Sequence, residues 1–147
     1  MKITDALRAE HVVFHNLFDY LERTAPKLKT AAEIRALARL LEFLLEAHSR
    51  TEEELVVAPL DHCFEQIGQR ETFHQEHEEI DASLTRAQTV RTAKQARAHL
   101  MAAVVSSRKH FDKEERIVFP LAEQLLTAKT LARLWQTWME QRDRAIA

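Results

Sequence analysis

Apolar residues recur at steps of three and four through most of this chain, the spacing that gathers side chains on one face of an α-helix. From a cap at Thr4 or Asp5 to about Thr24, the stripe reads Leu7, His11, Phe14, Phe18 and Leu21, and Ala25-Pro26 stops it. A second stripe, from about Ala31, carries Ile34, Leu37, Leu41, Leu44, His48, Glu52 and Leu55, with Pro59 ending or kinking the helix. A third, from about Arg70 to Gln88, carries Phe73, His77, Ile80 and Leu84. A fourth, from about Thr92, carries Ala103, Ser107, His110, Glu114, Ile117 and Leu121, with Pro120 near its end. A last helix, capped by Thr127 or Thr130, packs Leu131, Leu134 or Trp135, and Trp138 back onto the others. The pattern predicts an all-α protein, an up-down-up-down antiparallel four-helix bundle with an additional C-terminal helix.

The two halves resemble each other. His48 to Pro59 reads HSRTEEELVVAP and His110 to Pro120 reads HFDKEERIVFP. Residues 1–68 and 69–147 form an internal repeat within one expected domain. Neither helix-turn-helix half can bury its apolar stripe alone, but two can close into a bundle. In such a hairpin His11 and His48 fall at similar heights, at roughly 1.5 Å per residue. The second half repeats this if its turn falls near Val90.

Composition narrows the classes. One glycine and three prolines leave little turn chemistry for a β protein. The formal charge of -2 gives no footprint for nucleic acid or an anionic membrane. Arg86, Arg91, Lys94 and Arg97 read as a solvated surface near a turn. Cys63 is the single cysteine, so it forms no intramolecular disulfide and reads as an inert, partly buried thiol. The N-terminus lacks an apolar leader, and the longest apolar run, Leu100 to Val105, is too short to span a bilayer. A soluble cytoplasmic protein is the expectation.

The candidate chemistry lies in the histidines. His48/Glu52 and His110/Glu114 are spaced by four, which stacks an imidazole and a carboxylate on one helical face. His11 and His77 precede these pairs on their own stripes. All six sit on core faces, where an unpaired carboxylate is costly to bury. No Arg or Lys lies on those stripes near the motifs, whereas a metal ion removes the cost. Imidazole with carboxylate and no thiolate suits iron, manganese or zinc. Two histidines per metal and two glutamates able to bridge leave open positions, which on paired iron imply a small ligand: dioxygen, peroxide or nitric oxide.

With these residues the chain resembles the hemerythrin-like HHE family of cation-binding proteins, through EHVVFHNLFDYLE at Glu10, HSRTEE at His48, EHEEI at Glu76 and HFDKEERIVFP at His110. The resemblance implies a four-helix bundle with a non-haem di-iron centre, oxo- or hydroxo-bridged, that binds or senses oxygen. It makes His11, His48, His77 and His110 terminal ligands and Glu52 and Glu114 bridging carboxylates. Manganese or zinc are the alternative metals. The sequence departs from the oxygen carriers at Phe73, where they have a histidine four residues before the one matching His77; this points away from stable oxygen carriage. His15 and His74 lie roughly 40–60° from the neighbouring ligand histidines, as extra ligands or hydrogen-bonding residues. His99 reads as packed and His62 as exposed.

Two further choices follow. In a straight helix Glu52 lies about 40° from His48 and Glu53 about 140° away, so Glu52 is the expected bridge. A π-bulge between His48 and Glu53 would reverse this, but the extra residue of the first half can be absorbed later, before Pro59. Phe14, Phe18, Phe73, Ile80 and Leu41 are expected to line a dry pocket. The expected function is binding or sensing of a small oxidant or gas at a di-iron centre. A di-iron enzyme of peroxide, ferroxidase or nitric-oxide chemistry is the first alternative. A metal-free interaction module using the Trp135/Trp138 face is the second. The same final helix is the expected homodimer surface.

Overall fold

Threonine side chains start three of the helices in the computed structural model, which describes residues 1–146 and contains no strand among them. Thr30 Oγ1 accepts from the Glu33 N–H at 3.2 Å to open α2 (Ala31–Glu52). Thr92 accepts from Gln95 at 3.2 Å to open α5 (Ala93–Lys113), and Thr127 from Thr130 at 3.1 Å to open α7 (Ala128–Ile146). Each satisfies one backbone donor that a helix start leaves free. The first helix, α1 (Ile3–Thr24), begins earlier than its sequence suggests: the Lys2 N–H donates to the Asp5 carboxylate at 2.9 Å. Thr4 is therefore inside the helix, fully buried, with its hydroxyl donating to Glu123 at 2.7 Å.

The two motif helices do not stop at their prolines. A π turn over Glu53–Val57 joins α2 to α3 (Ala58–Gln66), closed by the Ala58 N–H on the Glu53 carbonyl. A matching π turn over Glu114–Val118 joins α5 to α6 (Phe119–Leu125), closed by Phe119 on Glu114. Pro59 and Pro120 are each the second residue of the helix that follows. A proline ring offers no N–H and collides with the carbonyl four residues back. Widening the preceding turn to an i to i+5 bond gives it room, and the helix runs on.

Between α3 and α4 (Arg70–Thr89) the chain turns on Gly68, whose φ of +70° is the left-handed region that costs glycine nothing. Gln69 then donates back to the Phe64 carbonyl at 2.9 Å, closing the helix end. α4 ends at Thr89, and Val90 is extended, so the second hairpin turns where the repeat requires. Arg97 is not part of a solvated basic surface: its guanidinium donates to the Ala25 and Leu28 carbonyls at 2.9 and 2.7 Å. It thereby ties the start of α5 to the backbone where α1 ends, adding to the Leu28 N–H already on the Ala25 carbonyl.

α4 packs along α5, α2 lies on both, and α1 lies against α5 and α7. Burial along each motif helix divides at the histidines. On α1, Ile3 and Leu7 belong to one apolar cluster while Phe14, Phe18 and Leu21 belong to another, with His11 between. On α2, Ile34, Leu41 and Leu45 precede His48 in one cluster, and Leu55, Val56 and Val57 follow Glu52 in the other. Phe73 and Ile80 fall on opposite sides of His77, as do Leu100 and Val118 of His110. Each fully buried Phe or Leu contributes on the order of 1.5–3 kcal/mol. The polar residues thus lie in a layer between two apolar cores.

Candidate metal centre

Four helices each deliver a histidine to this layer. His11 from α1 and His48 from α2 approach at 3.2 Å between Nε2 atoms, and His77 from α4 and His110 from α5 at 2.7 Å. Stacking at four-residue spacing puts Glu52 above His48, with Oε2 3.7 Å from His48 Nε2, and Glu114 against His110 Nε2. The second oxygen of Glu114 points the other way and lies 3.0 Å from His11 Nε2. One carboxylate therefore faces both histidine pairs. Ligand atoms of Glu52, His77, His110 and Glu114 lie within 4.8 Å of one another, and so do those of His11, His48 and Glu114.

This layer is dry. His11, His48, Glu52, His110 and Glu114 are all buried, and His77 is half-buried. Both oxygens of Glu52 and both of Glu114 are enclosed, and only the His11 and His110 ring nitrogens come close to Glu114. Burying unpartnered carboxylate oxygens costs several kcal/mol, on the order of 1–3 per group or more. A cation among them removes that cost, so the donor set fits a bound metal. Glu53 is exposed. The π turn begins after Glu52, so the α-helical spacing of four from His48 is kept and Glu52 is the carboxylate turned inward.

Charge is unevenly shared. Burial and the neighbouring Glu114 push the Glu52 carboxyl well above the usual carboxylate range. Burial acts the same way on Glu114, but the close His11 and His110 nitrogens overcome it and hold that carboxyl down. Burial and the adjacent His110 lower His77 to about 4. His110 moves up instead: burial opposes its charge, yet Glu114 and Glu76 outweigh it.

Outside the six lie partners that the stripes did not reveal. Glu10 accepts from His48 Nδ1 at 2.6 Å, Glu76 from His110 Nδ1 at 2.7 Å, and Glu115 from His11 Nδ1 at 2.9 Å. A carboxylate on Nδ1 leaves Nε2 free to face a metal and fixes the ring. In both halves the partner is the residue just before the first histidine, so the doubled Glu-His dipeptide (Glu10-His11, Glu76-His77) carried the signal. Phe111 was also not anticipated; it stacks on His11 with centroids 4.0 Å apart and planes at 5°. Phe14, Phe18, Phe73, Ile80 and Leu41 are buried as the stripes required, with Phe73 4.7 Å from the His110 ring.

His15 and His74 do not join the cluster. His15 Nδ1 accepts from Arg108 at 3.0 Å, and His74 is exposed. A cavity of about 430 Å³ reaches His77 and His110 past His74, Glu53 and Asp81. A more apolar one of about 380 Å³ reaches His48 and Glu10 past Phe14, Phe43 and Leu44. His62 is exposed and bonded to Gln66, and His99 is half-buried away from the cluster. Trp138 turns toward α1, its Nε1 donating to Glu10 at 2.9 Å.

A family model, the hemerythrin HHE cation-binding domain, matches residues 2–122. The chain belongs to the hemerythrin family. The match spans all six clustered residues of this hemerythrin-like domain and ends before α7. No curated protein and no solved structure matches the chain. The His/Glu layer is where this cation-binding domain has a set of side chains able to hold a metal. No helix among the described residues is long and apolar enough to cross a membrane.

Proposed function

We propose that this chain is a single hemerythrin-like domain, residues 1–147, whose up-down-up-down four-helix bundle holds a non-haem di-iron centre that binds a small oxidant or gas. The observation that carries the reading is Glu114, with one oxygen against His11 and the other against His110. That is the disposition of a bridging carboxylate between two ions.

On this reading His11 and His48 hold one metal, His77 and His110 the other, and Glu114 and Glu52 span them. Iron bound there would supply open coordination positions for dioxygen, peroxide or nitric oxide. The protein's part is to exclude water with Phe14, Phe73 and Phe111, and to fix the imidazoles through Glu10, Glu76 and Glu115. A small ligand would reach the centre on the side of the half-buried His77, beside the cavity of about 430 Å³. Manganese or zinc would fit the same donors.

The test is metal stoichiometry after anaerobic iron loading. About two iron atoms per chain are expected, with Glu114→Gln losing both and His77→Ala losing chiefly one. A wild-type value near one would overturn the binuclear reading, and a value near zero the metal reading altogether.

A further inference from the structure

The two halves of the centre are held from outside in different ways. In the second half Glu76 bridges His110 Nδ1 and the Lys113 ammonium, at 2.7 and 3.0 Å. Glu76 lies on α4 and Lys113 on α5 with His110, so that support stays within the α4–α5 hairpin. In the first half the equivalent carboxylate, Glu10, spends one oxygen on His48 Nδ1 at 2.6 Å. Its other oxygen is held entirely by α7: by Trp138 Nε1 at 2.9 Å and by Arg142 through Nε at 2.9 Å and a terminal nitrogen at 2.5 Å. Arg142 also donates to Thr51 Oγ1 at 3.0 Å, one residue before Glu52, and Gln141 donates to Glu54 at 3.0 Å. α7 itself is anchored by the buried Leu131 and by Leu134 and Trp138 against the apolar core below the polar layer.

We infer that Trp138 and Arg142 are positioning residues for the metal site formed by His11 and His48, acting through Glu10, so that the helix beyond the matched domain tunes one metal position and not the other. The inference rests on the binuclear reading above. Its physical basis is that an imidazole donating from Nδ1 to an oriented carboxylate keeps one tautomer and one ring angle, and becomes a stronger donor at Nε2. Three donors converging on one oxygen of Glu10 remove its freedom to rotate. Without them Glu10 can swing to solvent, and His48 loses its tautomeric bias.

The experiment is titration of the metal-free protein with Co²⁺, fitted to two sites, for wild type, Trp138→Phe, Arg142→Met, their double variant and Lys113→Met. The double variant is expected to weaken one site about ten- to a hundredfold while leaving the other within about twofold. Lys113→Met is expected to weaken the opposite site, and Arg142→Lys, which keeps the cation, to recover much of the loss. In the metal-free state, long-range ¹⁵N spectra should show His48 held as the Nδ1–H tautomer in wild type and mixed in the double variant. Far-ultraviolet dichroism reports whether the double variant folds; if it does not, Trp138→Phe, which keeps the packing, carries the test with the same readouts. Two intact sites with an unchanged His48 tautomer would overturn this inference alone, as would equal weakening of both sites. A wild type that takes up fewer than two Co²⁺ would overturn the binuclear reading and this inference with it.

Discussion

Oxygens of Glu52 and Glu114 lie within 4.8 Å of each other between the two cores, one carboxyl driven toward its protonated form and the other toward its charged form. The difference comes from what each one faces. Glu114 has a histidine nitrogen close on either side, at 3.0 Å from His11 and closer still from His110, whereas Glu52 faces Glu114, with His48 at 3.7 Å and His77 and His110 within 4.8 Å. Without metal, burial and Glu114 both disfavour the charged form of Glu52.

Glu52→Gln should therefore have effects of opposite sign in the two states. At pH 7 the metal-free variant should melt a few degrees higher than wild type, the shift that about 1 kcal/mol produces in a domain of this size. The metal-loaded variant should melt lower and hold less metal. Calorimetry of both forms checks this, and a lower midpoint in the metal-free variant would contradict the account of Glu52.

Metal uptake should strengthen with pH. His110 has its folded value raised above 6.5, so its proton stabilises the metal-free fold below 6.5 and that contribution fades as pH rises through the folded value. The Glu52 carboxyl is also raised, which favours its protonated form, and metal competes with that proton. Co²⁺ affinity should rise about tenfold or more between pH 6 and pH 8. Titration calorimetry in two buffers of different ionisation enthalpy should report proton release; none at pH 6 would contradict these assignments.

His48→Ala and His110→Ala should each lower metal content by half or more, and lower the thermal midpoint mainly in the loaded form. His62→Ala and His99→Ala, both outside the cluster, should do neither. Equal losses from His99→Ala would mean that the centre lies at another height in the bundle.

Glu123 supplies a prediction independent of metal. Its carboxylate accepts from Thr4 at 2.7 Å and Arg8 at 2.8 Å, which together hold it at about 2 against an ordinary 4.5. The resulting stabilisation is complete above 4.5 and fades as pH falls toward 2. Glu123→Gln should lower the midpoint by about 1–3 °C at pH 6, a small effect because the group is partly exposed. The gap should narrow as pH falls below 4.5 and close only as pH passes below about 2; a constant gap across that range would rule out the charge as its cause.

The helices could be read from sequence because their buried positions follow the helical period, and the six clustered residues because they interrupt apolar stripes. Glu10 and Glu76 were harder to see. They sit one residue before His11 and His77, off the stripe and partly exposed, and only folding brings them to His48 and His110. The π turns follow a different rule from the histidines. Each begins six residues before a proline, at Glu53 and Glu114, while each inward carboxylate lies four after a histidine, at Glu52 and Glu114. The two counts coincide in the second half and differ by one in the first. The extra residue is thus visible in the first half, whereas nothing in the second half's length announces its own π turn.

The polar layer also governs how the molecule comes apart. With Ile3, Leu7, Phe64 and Phe119 on one side and Phe18, Leu41, Leu84 and Leu100 on the other, the two oily compartments communicate mainly through the histidines and glutamates between them. Ions held there would weld these compartments into one cooperative unit. Without them the buried Glu52 and Glu114 oxygens are left unpartnered, and the end of the bundle bearing the π turns is expected to open at lower cost than the other. Melting should then pass from a single transition in the loaded protein to a broadened or double one in the metal-free protein, with amide exchange faster around Leu55 and Val118 than around Leu41 and Leu100. On this account the polar layer is a hinge in the folding free energy, and filling it with ions would decide whether the chain melts as one body or two.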